Sequence, residues 1–292
     1  MIPRSDVMKQ GVRITINSDG FRDRDFSQAV EKNEFVIAVL GDSYTFAQGV
    51  SQDSTYPAIL ERILNEDSQK DLFRVWNLGV SGYNTEQESY LLASFVLPRK
   101  PRWVVVGYNI NDYEPVNVPR TDPQASTGEQ FREGAGLRGA VDLDLFVISF
   151  ARYKIGNLIR MIRPDWYRSS YVDDVRRAYS DPTGEWQKVS EHLRSMNEKC
   201  KKNGVGFTVA LLPAMFDFSR YEFADVHAIV LQYLLGHGID AVDVAPYFSG
   251  NSASQFHVSL TDPHPNAQAQ NIFARVIADH LLKIWGFSAR RG

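Results

Sequence analysis

Residues 35–40, Phe-Val-Ile-Ala-Val-Leu, form an uninterrupted apolar run of strand length that ends in Gly41-Asp42-Ser43. A strand with no polar residue on either face must be covered on both, the situation of an internal parallel strand between two helix layers. The pattern recurs. Strand-like runs fall at 73–78, 103–108, 205–212 and 239–244. Between them lie helical patterns. Tyr56, Ile59, Leu60, Ile63 and Leu64 share one helix face, with Thr55 as the expected N-cap and Pro57 tolerated in the first turn. Thr85-Glu86-Gln87-Glu88 reads as a capping box opening a helix to about Leu97. Further helices are expected over 186–202, 223–235 and 267–285, the first ended by Asn203-Gly204. Five strands alternating with helices predict an α/β fold, a three-layer, doubly wound parallel sheet.

Two stretches depart from this rhythm. Residues 1–34 form a polar N-terminal arm in which Val12, Ile14 and Ile16 alternate as a short strand before the turn Asn17-Ser18-Asp19-Gly20. Residues 113–183 are too long for a simple connection and read as an insertion after the third strand; they contain a glycine- and arginine-bearing loop at 134–139 and an apolar helical pattern at 143–162 ending at Pro164. Such an insertion either overhangs the ends of the strands or adds packing elsewhere. The expected organisation is therefore one domain spanning 1–292, with 113–183 inserted into it.

Composition narrows the function classes. A formal net charge of -3 gives no basic surplus for a phosphate backbone or an anionic membrane. The single cysteine, Cys200, excludes an internal disulfide and a CxxC metal knuckle. No run approaches the roughly 20 apolar residues of a membrane span, and the first six residues lack the apolar core of a signal peptide. The expectation is a soluble chain whose compartment is left open. His192, His227, His237, His257 and His280 are scattered, without metal-ligand spacing, and neither metal nor cofactor is expected. Trp166, Tyr167 and Tyr171 fit either a ligand subsite or packing anchors.

In an open parallel sheet, ligands collect beyond the carboxyl ends of the strands. Ser43 follows the first strand, Gly82 the second and Asn111 the third; Asp243 ends the fifth, and Asp262-Pro263-His264-Pro265-Asn266 lies in the loop after it. A hydroxyl, an imidazole and a carboxylate are what an activated serine needs. Each piece also has an ordinary reading: Gly-Asp-Ser as a strand-to-helix turn, Asn-Asp as a turn cap, Asp-Pro as punctuation before the last helix.

Taken in order, Gly41-Asp42-Ser43, Gly82 in Asn77-Leu78-Gly79-Val80-Ser81-Gly82-Tyr83, Asn111-Asp112 and His264 resemble the four sequence blocks of the SGNH, or GDSL-type, hydrolases. The likeness spans most of the chain outside the insertion. It implies a flavodoxin-like sheet, Ser43 as nucleophile, His264 as its base, and an oxyanion hole made by the N–H groups of Ser43 and Gly82 and the side chain of Asn111. It also implies an acyl ester substrate, with acetyl groups on carbohydrate among the family's habits, and no cofactor. Two positions depart from the family pattern: Asn109 stands where a glycine is common, and Thr261 where the acid usually sits. Asp262, two residues before His264, lies within roughly 7 Å Cα to Cα, close enough to reach Nδ1 if the loop turns. Pro263 helps by restricting Asp262 to extended backbone. Asp243, or a backbone carbonyl, is the alternative partner for His264. The stretch 17–22, Asn-Ser-Asp-Gly-Phe-Arg, resembles a leader segment of bacterial members and is assigned no chemistry.

Three functions remain open: an esterase, an acyltransferase using the same serine, and a fold relative that binds ligands without turnover. A nucleotide-binding protein of this fold is disfavoured, because neither a glycine-rich phosphate loop nor a Walker lysine follows the first strand.

Overall fold

The apolar runs become a single sheet. In a computed structural model describing residues 3–9, 11–26, 34–67, 72–113, 164–181 and 184–286, an antiparallel hairpin, β1 (Ser5–Lys9) and β2 (Val12–Ile16), precedes β3 (Glu34–Gly41), β4 (Leu72–Gly79), β5 (Trp103–Asn109), β6 (Gly206–Leu212) and β7 (Asp240–Asp243). The last five are parallel, in the order β4-β3-β5-β6-β7. Strand order reverses at β3, since the chain moves to β4 on one side and then crosses to β5 on the other. The crevice of a doubly wound sheet opens at such a reversal.

Helices cover both faces, as the all-apolar strands require. They are α1 (Ser43–Phe46), α2 (Tyr56–Asp67), α3 (Thr85–Leu91), α4 (Pro164–Ser180), α5 (Glu185–Lys202), α6 (Ala224–Gly236) and α7 (Ala267–Ile284). Alternate side chains of β3 enter two cores. Val36, Ala38 and Leu40 pack with Val175 of α4, Leu193 of α5 and Val230 of α6. Ile37 and Val39 pack with Leu60 and Leu64 of α2 and with Phe273 and Ile277 of α7. This is the period of two of a strand, read out as a layer on each side.

Local differences from the sequence expectation have physical causes. The N-cap of α3 is Asn84, not Thr85: Asn84 accepts from the Gln87 N–H while the Gln87 side chain returns to the Asn84 N–H. The box is intact, shifted by one residue. The helix predicted to run to about Leu97 changes form, with a π turn at Leu92–Val96 and a 3₁₀ turn at Leu97–Arg99. Pro98 brings no N–H to the ladder, and Lys100 ends the segment in left-handed backbone (φ 52°) before Pro101. The N-terminal arm carries a second strand, β1, that its polar sequence had concealed. Of the 113–183 insertion, the loop at 134–139 and the apolar pattern at 143–162 lie outside the described residues. Its last part is α4, whose Tyr179 hydroxyl pairs with the Tyr108 hydroxyl and lies 2.9 Å from the Ile110 carbonyl, beside the end of β5.

Candidate active site

Three glycines stand in register at the carboxyl end of the sheet: Gly79 of β4, Gly41 of β3 and Gly107 of β5. A Cβ on Gly41 would sit 2.0 Å from Thr45 Oγ1, one on Gly79 2.3 Å from the Phe46 nitrogen, and one on Gly107 2.3 Å from the Tyr56 hydroxyl. The row is therefore a floor without side chains on which the single turn α1 rests. Thr45 lies on it, fully buried, 2.8 Å from the Tyr56 hydroxyl. Asp42 caps the turn by accepting from the Tyr44 N–H (2.8 Å). From α7, the buried Gln270 donates to the Tyr44 carbonyl (3.0 Å) and accepts from the Tyr56 N–H (2.8 Å). These contacts fix Ser43, the first residue of α1, at the strand-to-helix corner.

His264 reaches the same corner from a hairpin. β8 (His257–Ser259) and β9 (Asp262–Pro265) pair antiparallel, with Ser259 opposite Asp262. The loop turns back, because Asp262 Oδ1 accepts from both the His264 N–H (3.0 Å) and His264 Nδ1 (2.6 Å). His264 Nε2 then lies 3.1 Å from Ser43 Oγ. A longer contact of 3.4 Å joins Ser43 Oγ to Asp42 Oδ2. The Asp262 and His264 side chains are 12% and 22% exposed, sheltered but open to a ligand. Asn266 anchors the hairpin to α7. Its Oδ1 caps the helix through the N–H groups of Gln268 and Ala269, while its Nδ2 donates to the carbonyls of Gln255 and His257.

The remaining sequence-predicted residues surround this corner. Gly82 occupies the third position of the turn 80–83 with φ 89°, and the Tyr83 N–H closes that turn on Val80 (3.0 Å), leaving the Gly82 N–H outside the closing bond. The Ser43 N–H, at the first helical position, has no intrahelical acceptor. Asn111 follows β5 in a turn built by Asn109, whose Oδ1 accepts from the Asn111 N–H (3.2 Å) and whose N–H donates to Asp112 Oδ2 (2.9 Å). The departure from glycine at 109 thus has a local use.

Asp243 takes no part in this corner. Its Oδ1 meets His227 Nδ1 at 2.8 Å and accepts from the Ala245 N–H at 3.0 Å. His227 Nε2 faces the Tyr221 hydroxyl (3.0 Å), which accepts from the Ala214 N–H (3.0 Å). His227 is thus held at both ring nitrogens inside the fold, by Asp243 on one side and Tyr221 on the other. His280 binds Asp240, His237 the Tyr233 carbonyl, and His257 the Met215 carbonyl. Tyr171 stacks on Phe216, the packing-anchor reading, with ring centroids 5.3 Å apart. Tyr44 lies edge-on to His264 at 6.0 Å, with its hydroxyl 3.4 Å from the Met215 nitrogen; burial pushes this phenol's pKa up, so it stays neutral. An open groove of about 370 Å³ is lined by Met215, Phe216, Asp217, Ser252, Ser254 and His257, among others.

Sequence reading assigned no role to the glycine floor, Gln270, Asn266 or Tyr44. The glycines did carry a signal, since each sits at the carboxyl end of one of three successive apolar runs. Gln270 carried none, because a glutamine in an amphipathic helix is ordinarily a surface residue.

Comparison with known proteins gives a coherent outcome. The model of the GDSL-like lipase/acylhydrolase family matches residues 39–272. No curated protein matches the chain. Among solved structures, the acetylxylan esterase Axe2 from Geobacillus stearothermophilus is similar over 91% of this chain and 100% of its own, at 15% identity and a TM-score of 0.50. TesA is similar over 85% of this chain and 99% of its own, at 17% identity and a TM-score of 0.50. A two-domain esterase, CEX, active on acetylated mannans, covers 86% of this chain but only 50% of its own length, at 13% identity and a TM-score of 0.50. At these identities the structures speak for a shared fold.

Proposed function

The chain belongs to the GDSL-like lipase/acylhydrolase family and is a hydrolase acting on ester bonds; from that premise we propose that it cleaves small acyl esters with Ser43 as nucleophile, His264 as base and Asp262 as acid partner. The observation that carries this reading is the continuous path from Asp262 Oδ1 through both nitrogens of His264 to Ser43 Oγ, with steps of 2.6 and 3.1 Å. Asp262 holds Nδ1 protonated, which leaves Nε2 as the basic nitrogen facing the hydroxyl.

In this reading Ser43 Oγ attacks the ester carbonyl as its proton passes to His264 Nε2. The carbonyl oxygen becomes an oxyanion, which the N–H groups of Ser43 and Gly82 and the amide of Asn111 stabilise; each such donor is worth about 3–4 kcal/mol when removed. Collapse breaks the bond to the alcohol oxygen, which leaves with the proton from Nε2. Water then enters, gives its proton to Nε2 and attacks the acyl-enzyme. A second collapse releases the acid and returns the proton to Ser43 Oγ. Asp262 stays ionised throughout and stabilises the imidazolium.

For the substrate we propose short acyl groups, acetyl first, carried on carbohydrate. Support comes from the family and from the activities of two fold neighbours, one an acetylxylan esterase and one active on acetylated mannans. Hydrolysis of p-nitrophenyl esters from acetyl to dodecanoyl, and of acetylated xylan and mannan oligosaccharides, by the wild type and Ser43→Ala tests both halves of the proposal. Turnover that survives Ser43→Ala removes the nucleophile. An optimum at long chains removes the acetyl preference. Acyl groups appearing on an added sugar acceptor instead of as free acid would make the enzyme a transferase.

A further inference from the structure

We propose that Arg22 is a positioning residue for Ser43. The inference rests on the reading of Ser43 as nucleophile. Arg22 is 1% exposed, and its guanidinium donates to three carbonyls at the end of α1 and just beyond it: Phe46 (2.8 Å), Ala47 (2.5 Å) and Val50. It also lies 5.3 Å from the centroid of the Phe46 ring. The contacted stretch is the one most in need of support. Ala47 is in left-handed backbone (φ 59°, ψ 60°), uncommon for a residue with a Cβ, and its N–H donates to the Ser43 carbonyl at 3.0 Å. The guanidinium therefore acts on Ser43 through one intermediate residue.

The cost of placing a cation there argues for a role beyond packing. No carboxylate pairs with Arg22 among the described residues, Nε has no partner, and burial alone pulls its pKa down to about 10. A buried charge held only by carbonyls is expensive, and an apolar side chain of similar volume serves a core at least as well.

The segment that delivers Arg22 is itself built for precision. Asn17 Oδ1 accepts from the N–H groups of Asp19 (3.0 Å) and Phe21 (2.9 Å), and its Nδ2 donates to the Arg24 carbonyl (3.0 Å). Asp23 takes the Asn77 N–H (2.7 Å) on the sheet-edge strand β4. Phe26 packs on Trp76 at 5.0 Å between ring centroids. Residues 17–26 thus clasp the sheet edge and insert one side chain beneath the nucleophile's turn.

The test compares full-length wild type with Arg22→Met, Arg22→Lys, Ser43→Ala and Phe26→Ala. Phe26→Ala weakens the clasp without removing a contact to α1. Below the lowest melting temperature, Arg22→Met is expected to lower kcat on p-nitrophenyl acetate about tenfold or more, with KM within about twofold, as a small displacement of a reacting group does. Labelling of Ser43 by a fluorophosphonate should slow in proportion, and amide hydrogen exchange over 44–50 should quicken. Arg22→Lys, which keeps the charge but not the three-carbonyl fork, should fall between, and it carries the comparison if Arg22→Met does not fold. Phe26→Ala should lose thermal stability and keep kcat. Equal kcat in the Arg22 variants and Phe26→Ala, or faster exchange without slower labelling, overturns the proposal. Activity remaining in Ser43→Ala would instead remove the nucleophile assignment, while the exchange data still report whether Arg22 braces the turn.

Discussion

Asp262 and His264 are joined twice through one oxygen: Asp262 Oδ1 accepts the backbone N–H of His264 at 3.0 Å and its Nδ1 at 2.6 Å. The first bond folds the loop and the second orients the ring, so the two-residue spacing builds its own geometry. In Asp262→Asn the amide oxygen can keep both bonds, and what disappears is the negative charge facing the imidazolium. The expected result is a fall in kcat of about 10²–10⁴-fold with little change in melting temperature. Asp262→Ala should add a loss of stability, because the backbone N–H also loses its acceptor. Steady-state kinetics and thermal denaturation of both variants check this.

Asp243 was the rival acid, and its variant should behave oppositely. Asp243→Ala strips His227 Nδ1 and the Ala245 N–H of their acceptor inside the fold. A loss of about 1–3 kcal/mol is expected, with kcat within a few-fold of wild type when assayed below the melting temperature. A collapse of kcat in a folded Asp243→Ala protein would show that the triad assignment is wrong.

These two aspartates mark what could be read from the sequence and what could not. The layers were legible because strands buried on both faces must be continuously apolar, and the positions of Ser43, Gly82 and Asn111 beyond the strand ends were legible because each follows such a run. The choice between Asp262 and Asp243 depended on a hairpin, β8–β9, whose residues, His257 to Pro265, have no apolar alternation to announce it. Arg22 lay in a stretch to which the sequence assigned no chemistry, since only tertiary structure brings the carbonyls of Phe46, Ala47 and Val50 to it. The cap of α3 slipped from Thr85 to Asn84 because both residue types cap well and side-chain geometry decided between them.

Asn111→Ala should separate binding from transition-state stabilisation. The turn that places residue 111 is held by its backbone N–H on Asn109 and by Asp112, and the substitution leaves those bonds in place. With only the side-chain amide removed, kcat should fall about 10²–10³-fold and KM should change little. Asn109→Gly, which restores the family's commoner residue, should lower kcat less, by loosening the turn. Kinetics on one short-chain ester distinguish the two.

The glycine floor sets a steric ranking. A Cβ at 79 would meet the backbone of Thr45 and Phe46, at 2.6 and 2.3 Å, where no side chain can move aside; at 107 its nearest neighbours are the side chains of Tyr56 and Thr45. Gly79→Ala should therefore be the more damaging, at a cost of several kcal/mol (about 3 or more, in the range of severe overpacking). Tyr56→Phe, which removes the clashing hydroxyl, should recover part of the loss in Gly107→Ala and none in Gly79→Ala. Two thermodynamic cycles, over the three single variants, the two double variants and wild type, measure it.

Asp23 makes a pH-dependent prediction whose sign follows from burial. Its carboxyl is pushed up to about 6 from 3.8 because burial disfavours the ionised form, despite the hydrogen bond from the Asn77 N–H. The folded state thus binds the proton more tightly than the unfolded state. The stability this group contributes is complete below about pH 4 and is lost as pH rises through about 6, a swing on the order of 3 kcal/mol. Asp23→Asn has no proton to lose. The stability difference between wild type and Asp23→Asn should therefore shift against the wild type between pH 4 and 7 and be flat above. A pH-independent difference in stability would mean that Asp23 titrates where an exposed carboxylate does, and that its burial does not govern its charge.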